Sequence, residues 1–303
     1  MKGIICEKAG EPFKIVDNLD VPEPSSDQIL VKSIYMGLNP VDGMMQSSGV
    51  IVHEWPLFLG VDVAGVVVKV GENAASMFKV GDHVCGCTRV GYPGYNSGQE
   101  YLLMDAKITI PKPKNISLVE AATIGVGLEL FGICGYKVMA SSSAYSVPLV
   151  KNQGAEAVFD YKMSIAEQVN EVLSITKGKV HRVFDAAASG DEFAKELYRR
   201  LPEEGPKLFC STNAWSGITD FEGVKTKVVE LAVIGRPHAE HTNKVLAEYI
   251  PVFVALFEHE NQLFPPPYDL VGQGGFEDAL EAHQYQQKGA GRSNKVVAKI
   301  QDE

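Results

Sequence analysis

The stretch Leu59–Gly86, LGVDVAGVVVKVGENAASMFKVGDHVCG, decides how this chain is read. Val61–Val70 is almost wholly apolar and contains the run Val66-Val67-Val68, which predicts a strand buried on both faces. Gly71-Glu72-Asn73 and Gly81-Asp82 are turn signals, and a second apolar run, His83–Thr88, follows them. Working outward, Lys2–Glu7, Gln28–Ile34 and Glu100–Met104 are further short apolar or alternating runs, with a turn signal at Glu23-Pro24-Ser25-Ser26. The segment up to about residue 110 is therefore predicted to be a compact β-barrel-like unit.

The character changes at Ser117. Ser117 stands three positions before Glu120 and opens an apolar helical stretch, the pattern of a capping box. Beyond it, strands are predicted at Tyr136–Ala140, Ala157–Phe159, Val180–Ala186, Lys207–Ser211 and Val228–Gly235. Helices are predicted between or after them at Ser146–Asn152, Ile165–Ile175, Asp191–Arg200 and Lys244–Glu258. Strands alternating with helices of this size imply βαβ units and a doubly wound parallel sheet. Phe264-Pro265-Pro266-Pro267 reads as a linker, followed by a helix over Phe276–Gln287 and a last strand over Lys295–Ile300. That tail is expected to return to the N-terminal barrel.

Composition narrows the class. The chain has 303 residues, 45% of them hydrophobic and 22% charged, which excludes a disordered chain. Its 28 basic against 38 acidic residues, net charge −10, argue against a nucleic-acid partner, because phosphate binding needs a basic footprint. No apolar run approaches the roughly 18 residues of a membrane span, and MKGIICEKAG has no secretory signal. The five cysteines form no paired framework, which suits the reducing cytosol, so a cytoplasmic location is expected.

Leu59–Gly86 resembles the barrel signature of the medium-chain dehydrogenase/reductase superfamily. Gly37–Met45 (GLNPVDGMM), Arg89–Ala106, Ser117–Glu129 and Gly135–Tyr161 resemble its zinc-free fungal branch. That branch includes trans-acting enoyl reductases serving polyketide synthases and quinone-oxidoreductase-like proteins. The resemblance implies an α/β protein: a split GroES-like barrel (1–120 and 265–303) plus a Rossmann-like cofactor domain (121–264). It also implies NADPH as cofactor and a small-molecule or carrier-bound acyl substrate.

Zinc-dependent relatives need a thiolate, an imidazole and a further ligand around a tetrahedral centre. Here the first position holds Asn39, and the block for the imidazole reads Gly60-Val61-Asp62. No zinc is expected, and Cys85 and Cys87 are read as one buried and one half-exposed strand residue. The resemblance implies catalytic roles on the cleft side for Asn39, Thr123 and Tyr92, with Tyr95 in a neighbouring block; a hydroxyl or amide there can polarise a carbonyl oxygen as an enolate forms. It places Ser143 and Tyr161 on the 2′-phosphate of NADPH and Lys295 among the cofactor-binding residues. Ser141-Ser142-Ser143 is equally the pattern of a helix N-cap, and Lys295 that of a solvated edge lysine. His83, His181 and His283 are isolated and are read as surface or core histidines.

One departure from the family stands out. A first strand, a glycine-rich turn and a helix should separate the Ala121–Leu130 helix from the strand at Tyr136, roughly 20 residues at mean element lengths. The chain offers Phe131-Gly132-Ile133-Cys134 and no G-x-G-x-x-G. The cofactor domain is thus expected to lack its first βα unit, and NADPH binding to be weakened or lost. Two functions follow as expectations. One is a zinc-independent, NADPH-dependent reductase of α,β-unsaturated double bonds, acting in trans on a polyketide or related metabolite. The other is a non-redox descendant, a cofactor-free cyclase, isomerase or binding protein, or else an inactive truncated product.

Overall fold

A computed structural model describes residues 1–124, 137–202, 205–259 and 263–303. The chain divides into two compact units, Met1–Leu128 with Leu231–Glu303, and Glu129–Glu230. The first unit is β-rich. Its strands are β1 (Gly3–Cys6), β2 (Lys14–Val16), β3 (Gln28–Leu38), β4 (Leu57–Phe58), β5 (Asp62–Val70), β6 (His83–Gly86), β7 (Tyr101–Asp105) and β8 (Ile110–Pro111). Helix α1 (Pro40–Ser48) follows β3, and the short α2 (Leu118–Ala121) follows β8.

The expected buried strand is β5. Val63 and Val67 are fully buried with Ile29, Val31, Val84 and Leu102, each such side chain contributing about 1.5–3 kcal/mol of burial. β5 pairs antiparallel with both β3 and β6, and register shifts along β3 let that long strand bend. Ser117 and Glu120 form the predicted capping box at the start of α2. Helix α1 was not legible in the sequence, because Pro40-Val41-Asp42-Gly43 reads as a turn. Pro40 is tolerated at the first helical position, where its missing N–H is not needed.

The second unit alternates as expected. It runs β9 (Met139–Ser142), α3 (Val147–Asn152), β10 (Ala157–Asp160), α4 (Ile165–Thr176), β11 (Arg182–Asp185), α5 (Asp191–Arg200), β12 (Lys207–Ser211) and β13 (Val224–Val228). All pairings are parallel. The strands form two sheets, β10-β9 and β11-β12-β13, and among the described residues no strand joins them. A single core of Phe159, Val169, Val172, Ala194, Leu197, Tyr198 and Phe209 draws on β10, β12 and both long helices. The expected course through Leu128, Leu130, Phe131 and Ile133 lies outside the described residues, as do Gly125, Gly127 and Gly132.

Two expectations need correction. The strand expected at Val228–Gly235 lies earlier, at Val224–Val228, because β13 ends where its partner β12 ends, Ser211 facing Val228. The following Leu231–Val233 is a 3₁₀ turn, and the Ile234 carbonyl accepts from the Arg89 N–H at 3.2 Å. The segment after Glu230 also packs with the barrel unit instead of the cofactor unit expected to reach residue 264. Helix α6 (Glu240–Glu258) buries Phe257 against Ile116, Ala121, Ala122 and Ile124, and the Asn115 side chain donates to the Phe257 carbonyl at 2.5 Å.

The tail returns to the barrel as expected, as β14 (Tyr268–Val271), α7 (Phe276–Gln287) and β15 (Lys295–Lys299). β15 lies antiparallel to β3 and completes the order β14-β15-β3-β5-β6-β8, with β7 also on β3. Among the described residues no helix is long and apolar enough to cross a membrane.

Candidate active site

Three neighbouring strands end at one place. Gly37 near the end of β3 faces Asp62 at the start of β5, and Leu38 faces Val296 at the start of β15. Asn39 follows as the N-cap of α1. The register therefore gathers Asn39, Asp62 and Lys295 at one sheet end. The Lys295 ammonium donates to Asp62 Oδ2 at 2.7 Å and to Asn39 Oδ1 at 2.5 Å, and Asn39 Nδ2 donates to the same Asp62 oxygen at 2.9 Å. Asp62 is 0% exposed and Lys295 only 15%, a buried ion pair bridged by an amide.

The close approach needs a glycine. A Cβ on Gly37 would stand 2.1 Å from the Ala122 carbonyl oxygen and 3.1 Å from Lys295 Cε. This contact sets the end of α2, and with it Thr123, beside the lysine stem. Thr123 is buried and donates its hydroxyl to the Glu120 carbonyl at 2.6 Å, which leaves its oxygen lone pairs as the free feature.

Asp42 supports the group from below. Its Oδ2 accepts the Asn39 N–H at 2.6 Å, holding the backbone from which the Asn39 side chain projects. Burial pushes the Asp42 carboxyl up to about 7, nearby Asp62 adds to the rise, and the Asn39 and Gly60 N–H groups oppose it. Burial likewise holds the Cys85 thiol up near 12 and drives the Cys87 thiol well above its ordinary range, the Asp62 charge adding in both cases. Cys85 is buried and Cys87 half-buried. The Lys112 charge near Cys85 and the Lys295 charge near Cys87 oppose the rise without overcoming burial, so both thiols stay protonated.

Tyr92 belongs to a separate group in the same unit. Its ring stacks on His53 with centroids 5.3 Å apart, and the Arg236 guanidinium carbon lies 4.0 Å from its centroid. Tyr95 accepts from Gln28 Nε2 at 2.6 Å and carries Arg89 over its ring, while Arg89 makes a two-pronged ion pair with Asp105. No contact joins Tyr92 or Tyr95 to Asn39. Asn96 and Ser97, which follow Tyr95, are buried; Asn96 donates to the Phe58 carbonyl, and the Ser97 carbonyl accepts from Ser33.

The cofactor-side residues lie in the second unit. Ser143 immediately follows β9 and caps a 3₁₀ turn (Ala144–Ser146), its hydroxyl 3.3 Å from that of Ser146. Tyr161 follows β10 and is exposed. Lys295 lies in the barrel unit, engaged by Asp62 and Asn39. The histidines behave as expected, His283 being buried with its pKa pushed down to about 4 by desolvation.

Asp62, Asp42 and Arg236 were missed as site residues. The signal for Asp62 was present: a carboxylate inside an otherwise apolar run has to find a cation once the strand is buried. Asp42, third residue of a helix not foreseen, and Arg236, just beyond a stretch read as strand, gave none.

Residues 25–114 match the family model of the alcohol dehydrogenase GroES-like domain. Over 97% of the chain, and 96% of the relative, the sequence is 28% identical to the zinc-binding alcohol dehydrogenase domain-containing protein cipB of Emericella nidulans. It is 27% identical to the trans-enoyl reductase TOXD of Cochliobolus carbonum over 67% of the chain and 81% of that protein. Among solved structures, mycobacterial Rv1454c complexed with NADPH superposes with a TM-score of 0.75 at 21% identity, covering 99% of this chain and all of the other.

Proposed function

We propose that this chain is a member of the medium-chain dehydrogenase/reductase superfamily, in the branch of the fungal enoyl reductases, and that it is a zinc-free reductase of α,β-unsaturated carbonyl compounds whose hold on NADPH is curtailed. The observation that carries this reading is the Lys295–Asp62–Asn39 group. It stands where zinc-dependent relatives place their metal ligands, and its cation is an ammonium. Zinc does not fit there. The donors are one carboxylate, already paired, and one amide, with both nearby thiols held protonated by burial.

For NADPH the residues fit at one end only. Ser143 and Tyr161 suit the phosphate of the adenine ribose, whereas the sequence between Ile124 and Met139 carries no G-x-G-x-x-G for the pyrophosphate. The substrate half is complete. The Lys295 ammonium has three N–H groups and spends two on Asn39 and Asp62. Its third can donate to the carbonyl oxygen of an enoyl thioester or enone as negative charge gathers there, where a preorganised donor is most effective. Asp62 keeps the lysine charged and in place, and Asn39 fixes the angle between them. The substrate is proposed to be a small or carrier-bound acyl chain of polyketide type. The free thiols of Cys6, Cys85, Cys87 and Cys210 favour a reducing, cytoplasmic setting.

Steady oxidation of millimolar NADPH with an N-acetylcysteamine enoyl thioester tests this directly. Lys295→Met should lower the turnover by about 10²–10³, and metal analysis should find no stoichiometric zinc. A second reading, a cofactor-free cyclase, isomerase or binding protein, is favoured by the lack of a G-x-G-x-x-G in the sequence. It predicts that the thioester binds while NADPH is neither bound nor consumed.

A further inference from the structure

Arg236 is a buried cation without a carboxylate. It is 3% exposed, and no described Asp or Glu reaches it. Its Nη2 donates to the Val90 carbonyl at 2.9 Å, its face lies on Tyr92, and its Nε is buried with no partner. Removing a guanidinium from water is costly unless an anion answers it. Nearby Arg89 does not share the problem, because Asp105 neutralises it with two hydrogen bonds.

The surroundings add N–H donors. His53 stacks on the Tyr92 ring, and its pKa is held below the ordinary value first by desolvation and then by the charges of Arg236 and His238. His53 and His238 are both exposed, so the buried guanidinium has a solvent-accessible imidazole rim.

We infer that Arg236, His53 and His238 form a binding site for a phosphoryl anion. The guanidinium and the neighbouring imidazoles supply N–H donors for phosphate oxygens. A dianion provides the countercharge that the buried guanidinium lacks and favours the charged form of the imidazoles beside it, more strongly than a singly charged carboxylate does. The site stands independently of the reductase reading, since inorganic phosphate probes it without turnover. Two phosphorylated molecules could present this chemistry: the phosphopantetheine arm of a carrier-bound acyl chain, or the ribose phosphate of a nucleotide.

Histidine side-chain NMR of the full chain, titrated with inorganic phosphate, tests it. His53 should shift saturably and its pKa should rise, while His283, buried elsewhere, should not move. Arg236→Gln should weaken the affinity by about tenfold or more, with His238→Gln as a milder second variant if the first does not fold. Acetate should produce a much smaller response. A His53 signal unmoved by phosphate, one moved equally by acetate, or one unaffected by both substitutions would overturn the assignment. Pairing 4′-phosphopantetheine with pantetheine, and 2′,5′-ADP with adenosine, then identifies the source: the pair whose phosphate adds more affinity names the ligand.

Discussion

Removing the Lys295 ammonium while keeping Asp62 leaves a carboxylate at 0% exposure with only an amide donor and one oxygen already unpartnered. Breaking a buried pair from one side costs about 3–5 kcal/mol, most of it the uncompensated charge. Lys295→Met should therefore destabilise strongly. Lys295→Met combined with Asp62→Asn should recover at least about 1 kcal/mol, because the charge is gone and Asn39 keeps an acceptor. Denaturant unfolding of the three variants measures this, and a double mutant as unstable as Lys295→Met would deny the pairing. Asp42 sets a pH dependence of opposite sense to the usual carboxylate. Its pKa rises from about 3.9 in an unfolded chain to about 7 in the fold. Between those values the folded state holds a proton the unfolded state has released, so its stabilising contribution is full below pH ~4 and lost as pH rises through ~7. Asp42→Asn should remove that decline while keeping an acceptor for the Asn39 N–H. Unfolding free energies of both proteins from pH 4 to 8 give the comparison; parallel curves would contradict it.

At the scale of elements, the parallel strands of the second unit differ in support. β12 is hydrogen-bonded on both sides, by β11 and β13, and Phe209 is buried at its centre. Among the described residues β9 and β10 pair only with each other, and a two-stranded sheet is marginal in water without packing on its faces. Of their residues Ser142 and Phe159 are buried, and β9 presents Met139, Ala140 and Ser141 at least partly to solvent. Native-state hydrogen exchange should find the β12 amides the most protected of this unit. The β9 and β10 amides should open at a free energy lower by about 1 kcal/mol or more. Equal protection would mean that a further element supports β9.

For the whole molecule, the question is how tightly the chain binds NADPH. The sequence has no G-x-G-x-x-G after Ile124 to aim amides at a pyrophosphate, and each charged hydrogen bond forgone removes about 1.5–3 kcal/mol, so NADPH should bind well above the micromolar range. What affinity remains should favour NADPH over NADH and depend on Ser143, since no acidic residue directly follows β9 to receive a free ribose hydroxyl. Calorimetric titration of the wild type and Ser143→Ala with both nucleotides checks this. Micromolar binding would show that the pyrophosphate is held by another part of the chain. NADH bound as tightly as NADPH would remove Ser143 from the site.

The sequence by itself determined most of the longer elements and the class of fold. The first part of Val61–Val70 had to be buried because Asp62 and Lys69 are its only polar residues, and the Ser117/Glu120 capping box satisfies a helix start locally. α4, α5 and α7 fall where their periodicity puts them, because such signals act within a turn or two of chain. What only the tertiary structure decided is what touches what across long separations. Lys295 read as an edge lysine or a cofactor ligand until β15 was laid beside β3, 256 positions from Asn39 in sequence. Asp62 read as a missing metal ligand until an ammonium reached it. Leu231–Ile234 has the composition of a strand, but β13 had already ended with its partner, and the segment went to the barrel unit. Register and docking are set by shape and charge over the whole unit, and no local window of sequence contains them.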